Sequence, residues 1–436
     1  MMAALGVWMN GERVGTWEVT RTGRHVFAYD PAWPQSAHAR PLSLSMPFTR
    51  DLTVAGEVVA HYFDNLLPDG EGIRRRIHQR FGLRGADAFS LLEAIGRDCV
   101  GAVQLLPEGA VPEGFDQVRF EPLSEAQIAE HLASLGGGFG ALEVDQEFRL
   151  SIAGAQEKTA VLRHGGQWCR PLGATPTTHI LKPAIGVVPH WHYDLSESVA
   201  NEWLCARLLA ELGFAVADSS IESFGGQQVL CVERFDRAWT AQGWIARLPQ
   251  EDFCQVRGVA SANKYETHGG PGMLQCLQVL QHGSEPAQDC ARFVMAQLAF
   301  WLLAATDGHA KNFSVFLQPG GGYEMTPLYD VLSAWPIIGH GHGKIARQRA
   351  RMAMALPGRS RHYRLAEIQR RHWKVLAETT RIAGLWESMV EMVEALDGAI
   401  ARLQPRLPAS VPQPMARQIF DGARDQARRF LAGSDH

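Results

Sequence analysis

The spacing of apolar and polar positions changes period along the chain, and each change predicts a different element. Near the start, Val7-Trp8-Met9 and Val14 flank an Asn10-Gly11 pair. Asn-Gly accepts positive φ at both central positions of a tight turn, so this stretch predicts a β-hairpin. Helical spacing follows from about Ile73 to Phe81 and from Ala88 to Ile95. Pro107 to Gly114 is rich in Pro and Gly and reads as a connector. Ser124 with Gln127 has the signature of a capping box, opening a helix to about Leu135 that Gly136-Gly137-Gly138 ends. Strand patterns return at 148–152, Thr159 to Arg163, Thr177 to Lys182 and Gln228 to Arg234. A long amphipathic helix covers about Ser196 to Leu212, and beyond about Glu266 the chain reads as mostly helical. There the longest apolar run, Phe293 to Ala305, is broken at Gln297. It is too short to cross a bilayer and predicts a buried helix. No internal repeat is visible.

Composition narrows the class. A length of 436 residues suggests two or three domains. Hydrophobic residues at 46% and charged residues at 20% fit a folded globular chain rather than a disordered one. A net charge of −4 gives no global signature for nucleic acid. The N-terminus shows no basic patch followed by an apolar core, so no signal peptide is expected. The seven cysteines are scattered with no C-x-x-C pair, which fits a reducing cytoplasm and argues against a disulfide framework or a thiolate zinc site. His190-Trp191-His192 lacks a third ligand at suitable spacing and reads as a polar loop rather than a metal site.

Five segments carry candidate chemistry. In Thr306-Asp307-Gly308-His309-Ala310-Lys311-Asn312, an Asp and an Asn stand five positions apart just after the buried helix. Phosphoryl transfer to a hydroxyl needs a carboxylate to orient the nucleophile and oxygen ligands for magnesium, and this spacing is that of a protein-kinase catalytic loop. A helix stop followed by an Asp-Gly turn would look the same. Asp330 follows Tyr329 after an apolar strand, Phe313 to Leu317, and a Gly-rich turn. That order suits a second metal ligand, and it also suits a helix cap. Lys182 shares a strand face with Ile180, an arrangement fit for a base and its phosphates. Glu202 lies on the apolar face of the long helix, with Val199, Ala206 and Leu209. A carboxylate there needs a partner, and Lys182 is the candidate.

The stretch Ser151 to Thr159 follows a strand and contains small residues whose N–H groups could wrap phosphates, or it is a polar hairpin loop. Val232-Glu233-Arg234-Phe235-Asp236 ends a strand, where backbone groups could pair with an adenine edge or an edge strand could carry a surface salt bridge. Arg247 to Gln255 is dense in polar groups and has no role that its chemistry alone assigns.

Together these strings resemble the HipA family, serine/threonine kinases that act as toxins of toxin–antitoxin systems. Arg40-Pro41-Leu42-Ser43-Leu44-Ser45, Phe63 to Asp69 and Ile95-Gly96-Arg97-Asp98 resemble further family motifs, so the likeness covers nearly the whole chain. It implies an α+β, two-lobed protein-kinase-like fold with an added N-terminal β-rich subdomain (1–108), an N-lobe with ATP-binding strands and phosphate loop (120–255), and a mostly helical C-lobe (256–436). By position, Asp307 would be the catalytic base, and Asn312 and Asp330 would hold Mg²⁺. Lys182 would contact phosphates, with Glu202 as its ion-pair partner. Ala153, Gly154, Ala155, Gln156, Glu157 and Lys158 would form the phosphate loop. Glu233, Arg234 and Phe235 would meet adenine, and His309, Lys311 and Tyr329 would complete the ATP site. Ser151 matches the family's autophosphorylated serine. Asp307 follows Ala305-Thr306 rather than His-Arg, and Asp330 precedes Val331-Leu332 rather than Phe-Gly, so no activation loop of the usual kind is expected.

The resemblance also implies a HipB-like helix-turn-helix antitoxin as partner, operator DNA reached through that complex, and an aminoacyl-tRNA synthetase, most often the glutamyl enzyme, as substrate. No membrane association is implied. Between Gly343 and Lys374, only Glu367 opposes Lys344, Arg347, Arg349, Arg351, Arg359, Arg361, Arg364, Arg370, Arg371 and Lys374. Such segregation suggests an anionic partner. DNA contact by Arg370, Arg371 and Arg381 is one reading. A solvated helical face, or a surface for tRNA-bound or acidic protein substrate, is the other. A small-molecule kinase of aminoglycoside or choline type, and a catalytically inactive DNA co-repressor, remain the rival functions.

Overall fold

The structure is a computed structural model that describes residues 3–136, 153–154, 156–188, 192–358 and 360–435. The expected strand at 148–152 with Ser151, and also Gly137-Gly138, Ala155, His190-Trp191 and Arg359, lie outside the described residues.

The chain opens with β1 (Ala3–Met9), β2 (Glu12–Val19), β3 (His25–Tyr29) and β4 (Thr53–Ala55). Next come α1 (Glu57–Asp64), α2 (Glu71–Arg80), α3 (Ala88–Ile95) and β5 (Gln104–Pro107). The strands form one antiparallel sheet in the order β4-β3-β2-β1-β5. The first hairpin turns on Asn10 and Gly11 at φ 46° and 84°, the left-handed pair that its sequence predicts. Trp17 of β2 stacks on Phe63 of α1 at 4.0 Å, so α1 and α3 close one face of the sheet over a core with Val7, Phe27 and Leu92.

The middle of the chain carries β6 (Phe120–Pro122), α4 (Glu125–Gly136), β7 (Thr159–His164), β8 (Gln167–Pro171) and β9 (His179–Pro183). It continues through a small hairpin, β10 (Gly186–Val188) with β11 (Tyr193–Leu195), to α5 (Ser198–Glu211), β12 (Ser219–Phe224) and β13 (Gln227–Glu233). The Ser124–Gln127 capping box forms as its spacing suggests. The large sheet runs β12-β13-β9-β7-β8-β6. Its period-two alternation separates two cores. Leu181, Val229 and Cys231 face α4, while Leu230 and Val232 face α5 with Val199 and Ala217. Lys182 pairs with Leu230 across the ladder and therefore lies on the α5 side.

Two short hairpin strands, β14 (Arg237–Trp239) and β15 (Ile245–Arg247), lead to β16 (Gln250–Asp252) and α6 (Phe253–Val256). Then come α7 (Met273–Leu280), α8 (Pro286–Leu303), β17 (Ser314–Leu317) and β18 (Tyr323–Met325). The chain ends in β19 (Arg351–Leu356), β20 (His362–Arg364), α9 (Arg370–Thr380), α10 (Leu385–Glu394), α11 (Leu396–Leu403) and α12 (Gln413–Leu431). The apolar run is α8, buried at the centre of the largest core with α7, α9, α10 and α12 around it. No helix among the described residues is long and apolar enough to cross a membrane.

The basic segment departs from the helical expectation. Residues 351–364 form the β19–β20 ladder, and only Arg370 onward is helical. Met352 to Leu356 are buried in succession. A one-sided amphipathic helix cannot bury five consecutive residues, whereas a strand covered on both faces can.

The family-like strings in the first hundred residues join the N-terminal unit to the rest. Asp98 accepts from Arg237 at 2.9 Å and from Arg247 at 3.1 Å, and its other oxygen lies 3.3 Å from Arg234. Arg234 also grips Asp236 with two bonds, at 3.0 and 2.8 Å. All five side chains are buried. Burial pushes the Asp98 carboxyl up, but the three guanidinium groups hold it well below the usual carboxylate range. Asn10 and Arg247 exchange two bonds of 2.9 Å, and Glu251 accepts from Ser43 and from the Leu44 N–H. The Arg247–Gln255 segment is therefore a seam between the two parts of the chain.

Asp98→Asn would leave the buried Arg247 without its carboxylate and Arg234 and Arg237 with Asp236 alone. Removing one partner of a buried ion pair is expected to cost about 3–5 kcal/mol, read as a lower midpoint in urea unfolding. The wild-type contribution is present above the unfolded carboxyl value of about 3.9 and is lost as the pH falls towards the lower folded value. The stability gap between wild type and variant should therefore narrow in acid.

Candidate active site

The site is assembled where β9, α5 and the segment after β18 meet. Lys182 Nζ donates to Glu202 Oε1 at 2.7 Å and to Asp330 Oδ1 at 2.9 Å. The alternation of β9 and the helical face of α5 bring the first pair together. Asp330 arrives from a turn and holds φ 60°, a left-handed conformation that Asp tolerates better than most residues. No helix starts at Asp330, so it does not act as a cap. Burial would push the Lys182 ammonium down, but Asp330 and Glu202 raise it well above the ordinary range. For Asp330 the lysines Lys182 and Lys158 overcome burial and hold the carboxyl far below its ordinary value. Glu202 is shifted upward, because burial outweighs Lys182 there. The lysine is thus a fixed cation, and Asp330 is an anion with one oxygen uncommitted to it.

The catalytic-loop candidates follow the end of α8. Ala304 terminates that helix in the left-handed region, at φ 49°, and the chain turns outward. The Asp307 side chain is 63% exposed, in contrast to its neighbours His309, Lys311 and Asn312, which are buried. Asn312 Nδ2 donates to the Asp307 carbonyl at 2.9 Å and reaches the Asp330 carbonyl at 3.5 Å. Both backbone carbonyls are tied by one amide, and among the described residues no donor engages Asn312 Oδ1. His309 Nε2 stands 4.0 Å from Asp307 Oδ1, and burial pushes the ring's pKa down, so the imidazole is neutral near pH 7.

The phosphate-loop candidates lie against the N-terminal unit. The Asp69 N–H donates to the Gly154 carbonyl at 3.0 Å, Glu157 pairs with Arg76 of α2, and Gln156 donates to the Pro183 carbonyl at 2.6 Å. Gly154 holds φ 118°, and a Cβ there would meet Lys158 Nζ at 2.5 Å. Burial pushes Lys158 down to about 8, against the pull of Asp330 and with the help of Lys182. Ala153 is described only as a half-buried part of this loop, and Ala155 lies outside the described residues.

Not every candidate turns towards this cleft. The Lys311 ammonium points into the seam and donates to the Asn65 carbonyl at 3.0 Å, Asn65 Oδ1 at 2.8 Å and Asp252 Oδ2 at 3.0 Å. The Arg234 guanidinium belongs to the buried Asp98 cluster rather than to a surface salt bridge, so only its backbone is near the strand end. Phe235 packs against Tyr329 at 5.7 Å and Phe316 at 5.8 Å. Tyr329 donates to the Lys311 carbonyl at 2.8 Å and shares a 2.6 Å bond with Ser314. Glu233 is exposed at the strand end.

The basic residues also divide. Arg370 Nε bonds Asp435 at 2.5 Å, and its guanidinium lies 4.9 Å over Trp386 and 5.0 Å over Phe430. Its charge is spent inside the C-lobe. Arg371 and Arg381 are exposed, the latter at the left-handed end of α9.

Two residues at the site, Lys264 and Tyr265, carry no signal in the local sequence pattern, and Asp69 shows only as the end of the family-like string Phe63 to Asp69. Tyr265 donates its hydroxyl to Asp307, Lys264 pairs with Asp69 at 2.8 Å, and Asp69 sits 3.9 Å from Lys311. Lys264-Tyr265 and Asp69 lie far from Asp307 in the chain, at no spacing that announces it.

The donor set fits Mg-nucleotide chemistry. A hard cation prefers oxygen ligands, and Asn312 Oδ1 with the uncommitted oxygen of Asp330 supplies two. Lys182 and Lys158 offer ammonium groups for phosphates, and Gly154 leaves the room for Lys158 that any larger residue would take.

Residues 150–403 match the family described as the HipA-like C-terminal domain, and residues 5–106 match the HipA N-terminal domain. The chain is 34% identical to the "Putative kinase Y4mE" of Sinorhizobium fredii (strain NBRC 101917 / NGR234), over 89% of this chain and 90% of that one. It is 29% identical to the serine/threonine-protein kinase toxin HipA of Shewanella oneidensis MR-1, over 70% and 69% of the two chains. A solved structure of Shewanella oneidensis MR-1 HipA with HipB and operator DNA superposes with a TM-score of 0.79 at 24% identity. It covers 98% of this chain and 97% of that one. The two-lobed kinase-like fold with its N-terminal β-rich part is thereby shown.

Gly154→Val should weaken ATP binding about tenfold or more, because the side chain is strained at this φ and displaces the Lys158 ammonium. The thermal shift with Mg-ATP should shrink, on top of a lower nucleotide-free melting temperature from the backbone strain.

Proposed function

The chain belongs to the HipA family, and from that premise we propose that it is an ATP- and Mg²⁺-dependent serine/threonine protein kinase that serves as the toxin of a toxin–antitoxin pair. One observation carries the reading. A buried Lys182–Glu202 pair shares its ammonium with Asp330, while Asp307 stays exposed on the loop that Asn312 fastens to Asp330. Protein kinases require a lysine–glutamate pair for phosphates, two oxygen ligands for metal and an accessible carboxylate for the acceptor hydroxyl.

In this reading Asp307 orients the acceptor hydroxyl and takes its proton as the phosphoryl group leaves ATP. Lys182 and Lys158 neutralise phosphate oxygens, and the seam holds the loop still. Asn312 and Asp330 would hold Mg²⁺, whose chemistry there would be to neutralise negative charge on the ATP phosphates. Glu233 to Phe235 would meet the adenine through backbone groups and the Phe235 ring. The intact set weighs against an inactive co-repressor.

The partners are a HipB-like antitoxin and, through it, operator DNA, the same two components that accompany the similar Shewanella HipA in its solved complex. The substrate is an aminoacyl-tRNA synthetase, with the glutamyl enzyme first to be tested, and phosphorylating it would arrest growth. Ser151, outside the described residues, is the proposed autophosphorylation site. A phosphate there would add about −1.5 to −2 charges two positions before the proposed phosphate loop and switch the enzyme off.

Asp307→Asn should abolish growth arrest and lower phosphoryl transfer roughly 10²–10⁴-fold with the fold intact. Incubating wild type and variant with labelled ATP and lysate tests this, and a folded variant that still labels a protein band would overturn the assignment. Asp330→Ala should remove the Mg²⁺-dependent part of the ATP thermal shift, since binding to the native state alone produces it.

The toxin should steepen the salt dependence of antitoxin–operator binding by about 0.9 per added phosphate contact. Arg371→Glu with Arg381→Glu should reduce that increment in a gel-shift titration. Arg370 is unsuitable for this test because of its ion pair with Asp435. An unchanged slope would assign the basic face to another partner.

A further inference from the structure

We propose that Tyr265 is a positioning residue for the Asp307 carboxylate, and that Asp69 of the N-terminal unit holds it in register through Lys264. This rests on the reading of Asp307 as the group that accepts the acceptor's proton.

An exposed carboxylate on a turn is free to rotate about its side-chain bonds, and a general base must present one oxygen within hydrogen-bond reach of its proton. The protein contacts of Asp307 are unequal. Asn312 holds only its backbone carbonyl, and His309 at 4.0 Å is beyond hydrogen-bond range. Tyr265 is the side chain that grips the carboxylate itself, donating to Oδ1. One oxygen is thus anchored, and the other remains for the acceptor. Burial and the Asp307 charge push the Tyr265 phenol far above its ordinary pKa, so it stays a donor throughout the working range.

Tyr265 is itself fixed from several directions. Its ring meets His309 edge-on at 5.0 Å and 84°. Behind it, the Gly270 N–H donates to the Tyr265 carbonyl at 3.0 Å. A Cβ on Gly270 would strike the Asn263 carbonyl at 2.1 Å, so the turn closes tightly beneath the tyrosine. The next residue, Glu266, accepts from the Ala355 N–H at 2.6 Å and anchors the strip to β19.

On the other side, the Lys264 carbonyl accepts from the Ala310 N–H at 3.4 Å, and its ammonium lies 5.6 Å over the Tyr265 ring. That ammonium is secured by Asp69 Oδ2 at 2.8 Å. Among the described residues, buried Asp69 Oδ1 has no hydrogen-bond partner and its cation, Lys311, stands 3.9 Å away, so the carboxylate's side-chain hydrogen bond is to Lys264. The same residue donates its backbone N–H to Gly154 at 3.0 Å. One residue of the N-terminal unit therefore touches both the phosphate loop and the strip that aims Asp307.

The test uses the full chain and steady-state hydrolysis of Mg-ATP, with water as the acceptor. Tyr265→Phe should lower kcat about 10–100-fold and leave the KM for ATP and the nucleotide thermal shift unchanged, because no phosphate contact is lost. Asp69→Asn keeps the backbone bond to Gly154 and should lower kcat in the same direction. It also serves if Tyr265→Phe folds poorly. Tyr265→Phe should have no further effect in an Asp307→Asn background, whereas a general structural role would depress the residual rate in both backgrounds. A wild-type kcat in Tyr265→Phe, with Asp307→Asn inactive, overturns this inference and leaves the kinase reading standing. A fully active Asp307→Asn overturns both. Phosphate found on Tyr265 of the wild-type protein by mass spectrometry would make the tyrosine an acceptor and also overturn its positioning role.

Discussion

A cation that leaves water must be met by an anion, and in each of the three buried clusters around the site and its seam a partner comes from a distant segment. Arg234, Arg237 and Arg247 share Asp98, which stands well over a hundred positions earlier. Lys311 is met by Asp252 and by Asn65 of the N-terminal unit. Lys182 is met by Glu202 and Asp330. An unpaired buried charge is far more costly than a broken surface pair, so each cluster ties its contributing segments into one arrangement. Lys311 and Asn312 are neighbours, so the lysine's partners in the seam also hold the backbone that aims the amide at Asp307 and Asp330.

This constraint explains why the N-terminal unit behaves as part of the site rather than as an attached module. Asp69, Arg76 and Asn65 each reach across to the other part of the chain, to Gly154, Glu157 and Lys311 respectively. Two strained residues show what the arrangement holds in place. Ala304 and Asp330 both sit in the left-handed region without being glycine, one where α8 ends before the catalytic-loop candidate and one at the metal-ligand candidate. Such positions persist only where the surroundings over-determine them, and here the surroundings include the α8 core and the Lys182–Glu202–Asp330 cluster.

Much of the fold was legible because it rests on local periodicity. The Asn10-Gly11 hairpin, the Ser124 capping box, the β9 alternation and the α5 face are all written within a few residues of where they act. The Lys182–Glu202 contact is legible for the same reason, since two periodic faces of known hand must meet somewhere. What the pattern does not carry is the partner of a partner. Nothing near Tyr265 announces Asp307, and nothing in Arg247 to Gln255 announces Asn10, Ser43 or Asp98. The β19 strand is hidden for another reason. Its unbroken burial removes the alternation by which a strand is recognised, and the surrounding arginines suggest a solvated helix instead. Arg370 shows the reverse error, because a charge read as surface is held against Trp386 and Asp435.

The site's own charges are close to balance, and that decides how it can work. Lys158 and Lys182 face Glu202 and Asp330, so a polyphosphate arriving alone would meet little net attraction. Burial already drives Lys158 towards its neutral form, near 8, and a phosphate beside it would favour the charged form again. On the proposed reading, affinity would therefore come from preorganised donors and from a metal at Asn312 and Asp330, not from a bare excess of positive charge. The consequence is selectivity by geometry. Only a ligand that brings phosphates and a hard cation together satisfies both lysines and both oxygens at once. That joint requirement makes the Asp307–Asn312–Asp330 arrangement more informative than any of its members alone.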